Sequence, residues 1–409
     1  MSTGVSKKRI PLYIQIIIAL ILGGLAGAFW NGVENWVGWI GTMFMNALCM
    51  LIVPIIFFSI SISIHDICAK DPRDLKHLGG KTIGLYILTM IIAIVTGIIL
   101  VEIIHPGARV NIGLAEEIPA IQQYTIMDII VGFVPSNIVA ALAGNSTIPV
   151  IFIAFLIGIA LTKISPEHEK SWMNLLHGGY DLTMTIMNWV LKVAPLGVFA
   201  IVAVQFSRVE DFGALIGNML LYVVTVTSGL LFHVFVSLPL VMRIIGKVNP
   251  WKHLKNMAEP LGMAFSTASS GATIPLSLDA VKHKDGVSDK IANFVIPLGA
   301  TINMNGAALL ECVAVVFIAQ AYGIELSAAQ TTLVCITSLL CAIGSAGVPM
   351  SAMVMLTLIL NVVGLPPEGI ALVIGVDRIL DMLRTAVNVY GDTCVAAIVA
   401  KSEGEDLKV

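Results

Sequence analysis

Long apolar stretches recur along the chain at 10–31, 37–64, 83–104, 125–162, 182–207, 212–242, 291–321, 328–362 and 365–400. Each approaches or exceeds the roughly 20 residues that carry a helix across the hydrocarbon core of a bilayer. Several are too long for one straight helix and too broken for two. The pattern therefore predicts an all-helical polytopic membrane protein.

Two stretches break the apolar pattern at mid-length. The segment "EPLGMAFSTASSGATIPLSLDA" is flanked by lysines on both sides yet carries Ser266, Thr267, Ser269, Ser270 and Gly271 at its centre, so it reads as a helical hairpin that dips in and returns. The stretch 328–362 is long enough for two half-helices and is interrupted by "GSAGVP" from Gly344 to Pro349. Non-helical backbone at membrane depth is tolerated only where protein or a water-filled cavity satisfies it. Two such tips imply a shared polar interior, and paired broken segments are a sequence pointer to a solute pathway.

Composition agrees. Of 409 residues 57% are hydrophobic and only 12% charged, with a mean hydropathy of +0.93, values foreign to a water-soluble fold. A net charge of −3 supplies no basic face, so nucleic acid is excluded as a partner. Lys7, Lys8, Arg9 and the "AGA" near Ala26 resemble a secretory leader, but the apolar run exceeds the usual length and eight more segments follow, so an uncleaved first span is expected. With the amino terminus inside and hairpin 256–280 re-entrant, all basic residues except Arg109, Lys192, Arg208, Arg378 and Arg384 fall on the inner side. Both termini are then cytoplasmic. The six cysteines show no CxxC spacing and are expected to be reduced packing residues; His233 in "LFHVF" is expected to be a satisfied core residue.

The last stretch carries the chemistry. "GVDRILDMLRTAVNVYGDT" places Asp377, Asp381, Arg384, Thr385, Asn388 and Asp392 on one face of a 3.6-residue period, with Leu380, Leu383, Val387 and Val389 filling much of the remainder. Each intramembrane charge costs roughly 2.5–3.5 kcal/mol on insertion, so such residues normally face a pathway or a site. A structural ion pair between Asp381 and Arg384 at i,i+3 would leave Asn388 and Asp392 unexplained. In "PLGATINMNGAALLECV", Gly299, Asn303, Asn305 and Gly306 predict a locally unwound turn whose oxygens suit a hard cation such as sodium. Glu311 further along is a candidate proton carrier. No histidine pairs with a nucleophile or forms HExxH, so no enzyme is expected.

Together "STASSGAT", "GATINMNG", "GSAGVP" and "DRILDMLRTAVNVYGD" resemble the dicarboxylate/amino acid:cation symporter family, most strongly from about 255 to 401. The resemblance implies eight transmembrane helices, two re-entrant hairpins and a homotrimer in the plasma (inner) membrane, in contact with membrane lipid. It implies a scaffold of helices 1–2 (1–78) and 4–5 (107–210). It implies a mobile transport domain formed by helix 3 (79–106) and by 211–409, which holds helix 6, hairpin 1 (about 255–280), helix 7, hairpin 2 (about 328–362) and helix 8. Transport would be an elevator movement with the second hairpin as gate. The expected substrate is L-glutamate or L-aspartate, driven by sodium, protons or both, without a resident cofactor; a C4-dicarboxylate or neutral amino acid is the alternative. The family pattern places the amino group on Asp381, a side-chain carboxylate on Arg384, and the α-carboxylate on Asn388 with Ser269, Ser270 and Gly271. Met304, Ala307, Thr385 and Val348 would line the pocket. One sodium would take Gly299, Asn303, Asn388 and Asp392; a second would sit between Thr301 and the hairpin backbone at Ile343 and Ser345. A third site, with Tyr86 and Thr89 as partners, stays open because Asn305 and Met90 stand where the pattern has aspartate and serine. Ala307 likewise replaces a threonine, and Arg378 would supply a charge that some members carry in the first hairpin.

Overall fold

The computed structural model describes residues 12–69, 74–108, 131, 134–143, 147–207, 212–344 and 351–409, and among these it contains helices and turns but no strand. The helices are α1 (Leu12–Phe29), α2 (Val33–Ala69), α3 (Asp74–Ile104), α4 (Ile138–Ala143), α5 (Thr147–Leu161), α6 (Pro166–Lys192) and α7 (Ala194–Ser207). There follow α8 (Phe212–Phe232), continued to Gly246 through two wide turns, α9 (Pro250–Asn256), α10 (Ala258–Thr267) and α11 (Ser270–Asp279). The last are α12 (Asp289–Ile302), α13 (Asn305–Ala321), α14 (Ala328–Gly344), α15 (Ser351–Val363) and α16 (Ala371–Ser402).

The outer surface is apolar where a soluble protein would be polar. On α3, Leu88, Ile91, Val95, Ile99 and Ile103 are all exposed, at steps of three and four residues that draw one stripe along the helix. On α1 the same spacing exposes Ile18, Ile21, Leu25 and Phe29. Stripes of this length are too greasy for water, and they mark the chain as an integral membrane protein. Leu78–Ile104, Gly217–Gly246 and Asp289–Ala321 are each long and apolar enough to cross a bilayer by themselves. The most apolar 18-residue window of the last of these is buried throughout, so that part of the span runs inside the bundle.

One expected element differs. The stretch 182–207 belongs to two helices, because α6 begins at Pro166 and meets α7 at a 59° bend. Pro195 explains the break: its ring fills the space of the preceding turn, and the residue before a proline is disfavoured in a continuing helix. The polar sequence 166–181 hides the first half of α6 from a search for apolar runs. Both interrupted stretches do form two arms, α10 with α11 and α14 with α15, and each pair of arms packs together. In the first, the turn is made at Ala268, which adopts φ +50°, and at Ser269, whose Oγ accepts from Ala272 N at 3.3 Å and caps α11. A non-glycine residue in the left-handed region is strained by about 1–2 kcal/mol, a cost that concentrates at functional turns.

Packing follows two groups. α1 lies on α7, and α2 on α5, α6 and α7. α16 is surrounded mainly by α3, α8, α10, α11, α12 and α13, with smaller contacts to α7 and α1, which places the polar stripe in the interior of the second group.

Candidate functional site

The site begins at the break between α12 and α13. Asn303 and Met304 leave the helical region, with φ/ψ of −99°/68° and −98°/65°, so the chain straightens for two residues in the middle of a buried span. A helix end leaves its last carbonyls and first N–H groups without intrahelical partners. Here α16 supplies one of them: Asn388 Oδ1 accepts from Gly306 N at 2.7 Å and thereby caps α13. Asn303 closes the other side by donating from Nδ2 to Asp392 Oδ1 at 2.9 Å. The last two residues of the polar stripe on α16, Asn388 and Asp392, are thus bonded to the break itself.

Two glycines make this approach possible. A Cβ on Gly299 would stand 2.4 Å from Asp392 Oδ1 and 2.9 Å from the Tyr86 hydroxyl, so the carboxylate occupies the space a side chain would take. A Cβ on Gly306 would stand 2.6 Å from Arg384 O, a backbone atom that cannot swing aside. Gly306→Ala is accordingly expected to destabilise the protein by about 1–3 kcal/mol through overpacking. The check is a lower thermal midpoint in detergent, with Gly80→Ala, whose Cβ would meet nothing within 4 Å, at or above the parent value.

Oxygens gather on the α3 side of the break. The Thr89 hydroxyl lies 3.2 Å from Asn303 Oδ1 and 3.3 Å from Asn305 Oδ1, and also reaches the carbonyls of Leu85 and Tyr86 at 3.0 Å. One hydroxyl hydrogen faces four acceptors, a surplus that suits a hard cation better than it suits a packed core. Tyr86 contributes less directly than its position suggests, since its hydroxyl donates to Val295 O at 2.6 Å. Thr301 is exposed and its hydroxyl turns back onto Leu298 O at 3.0 Å; Ile343 is half-buried on α14, which packs on α12. Ser345 and Val348 lie outside the described residues.

Further up α16 the charged residues form one cluster. Arg384 donates from Nε at 2.8 Å and from Nη2 at 2.7 Å, both to Asp381 Oδ1, while Arg378 Nη1 stands 3.5 Å from Asp381 Oδ2. Asp377, Asp381 and Arg384 are 2%, 1% and 4% exposed. Asp377 has no hydrogen-bond partner on either carboxyl oxygen among the described residues, although both guanidinium groups act on it through space. Two carboxylates and two guanidinium groups balance in charge, yet one carboxylate is left without donors in a medium where that costs several kcal/mol. Thr385 is buried and back-bonds to Asp381 O; Met304 and Ala307 are buried at the break.

Glu311, about one turn along α13 from Ala307, is fully buried, with no hydrogen-bond partner on either carboxyl oxygen among the described residues and Arg384 as its charged neighbour. In the first hairpin, Ser270 is buried, Ser269 half-buried and Gly271 exposed, and both arms pack on α16. The tip presents the first N–H groups of α11, a natural place for a carboxylate. Sequence reasoning missed Tyr222 of α8, whose ring stacks on Phe317 at 4.8 Å and which lies within the electrostatic reach of Asp377 and Arg384. His233 is buried as expected, but in the wide turn His233–Ser237 neither ring nitrogen has a hydrogen-bond partner among the described residues.

The chain is similar over its whole length to proteins of one kind. It is 34% identical over 410 residues to the "Proton/sodium-glutamate symport protein" of Bacillus caldotenax, covering 97% of this chain and 96% of that one. It is 32% identical to the "Proton/glutamate-aspartate symporter" of Escherichia coli K12, covering 97% and 93%. It is 29% identical to the "Neutral amino acid transporter B(0)" of Oryctolagus cuniculus, covering 94% and 77%. The profile of the sodium:dicarboxylate symporter family matches residues 12–402, and a match of that extent, on top of a broken span facing a buried charged helix, places this chain in that family.

Proposed function

We propose that the protein is a secondary symporter for an acidic amino acid, L-glutamate or L-aspartate, driven by sodium, protons or both. The observation that carries this reading is the buried Asp381–Arg384 pair on α16 beside the broken span. The two charges hold one another at 2.7 Å. A zwitterion with an extra acid group can replace that single pair by two, its ammonium on Asp381 and its side-chain carboxylate on the planar fork of Arg384. Its α-carboxylate goes to Asn388 and the N–H groups at Ser269, Ser270 and Gly271. Met304, Ala307 and Thr385 line the pocket, with Val348 from the second hairpin.

Sodium travels with the substrate. One ion takes the Asp392 carboxylate with oxygens of Gly299, Asn303 and Asn388; a second takes Thr301 with the backbone at Ile343 and Ser345. The acceptors around Thr89 and Asn305, with Tyr86 behind them, suit a third, though Asn305 brings an amide where a carboxylate would bind more strongly. Glu311 carries a proton: its oxygens have no hydrogen-bond partner among the described residues and lie within electrostatic reach of Arg384.

The grouping of helices supports a scaffold of 1–78 and 107–210 and a moving body of 79–106 and 211–409. We read these as eight transmembrane helices with two re-entrant hairpins, an elevator movement, a homotrimer and cytoplasmic termini. Arg378 favours a second reading. By reaching Asp381 it offsets the charge that asks for an ammonium, which would suit a C4-dicarboxylate instead.

Uptake into proteoliposomes under a sodium gradient and, separately, a proton gradient tests both. Acidic amino acids should accumulate and succinate should not; the reverse selects the second reading. Accumulation of neither would sink both. Glu311→Gln is expected to abolish the proton-driven arm while retaining sodium-driven uptake.

A further inference from the structure

On the face of α16 turned away from the helix break lies a buried polar cluster that substrate binding does not use. Its members come from three places in the chain. His253 of α9 meets Asp285, at the end of the extension of α11, with Nδ1 2.6 Å from Oδ2, and meets Thr393 of α16 with Nε2 3.1 Å from Oγ1. All three side chains are 0% exposed. Asn256 Nδ2 donates to Asp285 Oδ1 at 2.7 Å, and the His253 ring lies 5.6 Å from that of Tyr390.

Thr393 has a single hydroxyl hydrogen and lies 2.9 Å from Tyr390 O, which can only accept. The Thr393 hydroxyl thus lies between Tyr390 O and His253 Nε2, while His253 Nδ1 donates to the Asp285 carboxylate, so the ring bridges Asp285 and Thr393. Every member is satisfied. A fully satisfied buried polar network adds little stability over an apolar core, but it fixes geometry.

What it fixes is the rotation of α16. On a 3.6-residue helix, Asn388 and Asp392 project toward the break, whereas Tyr390 and Thr393 project from the roughly opposite face. A clasp on the second face sets the angle of the first. A carboxylate carbon about 5 Å off the axis moves about 0.9 Å when the helix turns by about 10°. Metal–ligand distances tolerate only about 0.2 Å.

We propose that His253 is a positioning residue of the cation site, holding Thr393 so that the Asp392 carboxylate points at the ion. The proposal rests on the reading of Asp392 as a sodium ligand. It predicts an effect on sodium affinity that is separate from any effect on maximal rate.

The test uses the full chain, with sodium-dependent thermal stabilisation in detergent at constant ionic strength and sodium-dependent uptake in proteoliposomes. Thr393→Val removes the hydroxyl at constant shape. His253→Asn keeps a donor toward Asp285 but is too short for Thr393. Each is expected to raise the half-saturating sodium concentration about 10-fold, the scale on which supporting partners of metal ligands act. Maximal uptake at saturating sodium should stay within about two-fold, because the substrate residues are untouched. The double variant should be no worse than either single one, and Thr393→Ser should restore the parent value. An unshifted sodium dependence in Thr393→Val, additive shifts of about 100-fold in the double variant, or a loss of rate alone would each overturn the proposal. Should His253→Asn fail to fold, Thr393→Val carries the test. A parent protein that binds no sodium at all would instead sink the reading of Asp392 on which the proposal stands.

Discussion

Arg384→Ala is expected to lower uptake of L-aspartate and L-glutamate by at least about 100-fold at saturating sodium. The loss of one partner from a buried, hydrogen-bonded charge pair costs about 2–5 kcal/mol, and each 1.4 kcal/mol is tenfold in affinity. In the proposed binding mode substrate loses its side-chain anchor, and Asp381 loses the donor that approaches it at 2.7 Å. The remaining balance is poor: of the two guanidinium groups in the cluster Arg378 is left, 29% exposed and 3.5 Å from Asp381. Some of the effect therefore falls on stability. Asp377→Asn combined with Arg384→Ala removes one charge of each sign and separates the two contributions. If the double variant recovers thermal stability but not acidic uptake, Arg384 binds substrate. Uptake of a neutral amino acid, gained in the variant, would support the assignment further; unchanged aspartate uptake would defeat it.

The polar stripe on α16 was legible because charge in a membrane helix is too costly to be incidental and because its 3.6-residue spacing needs no tertiary information. The break at Asn303 and Met304 was legible for a related reason, since Gly299, Asn303, Asn305 and Gly306 are poor helix formers in a span that otherwise has no cause to stop. The partners were not. That Asn388 caps α13 and that Asn303 reaches Asp392 depends on two helices crossing at Gly299 and Gly306, and spacing along one helix carries no record of a crossing. His253, Asp285 and Thr393 are separated by 32 and 140 positions from His253, in segments that read as a loop, a lysine-rich turn and an apolar helix. Only the assembled core brings them together. The bend at Val193 was hidden for a different reason, because Pro195 interrupts the helix without interrupting the apolar run.

Asp392→Asn tests the other half of the coupling. The substitution preserves shape and leaves an oxygen to accept from Asn303 Nδ2, so the break between α12 and α13 should survive. What disappears is the negative charge beside Gly299, in the one space of the broken span where a missing Cβ makes room for a carboxylate. A sodium ion about 2.4 Å from a carboxylate oxygen gains roughly 7 kcal/mol at an effective dielectric constant of about 20. Desolvation of both charges returns several kcal/mol of that, leaving a net on the order of 3 kcal/mol. Sodium should then be required at concentrations on the order of 100-fold higher for half-maximal uptake. Thermal stabilisation by sodium should vanish over the range that protects the parent. Proton-driven uptake, if Glu311 carries the proton, should persist, because Glu311 is on α13 beside Arg384 and shares no hydrogen bond with Asp392. Equal loss of both driving forces would mean that Asp392 holds the fold of the break and not the ion.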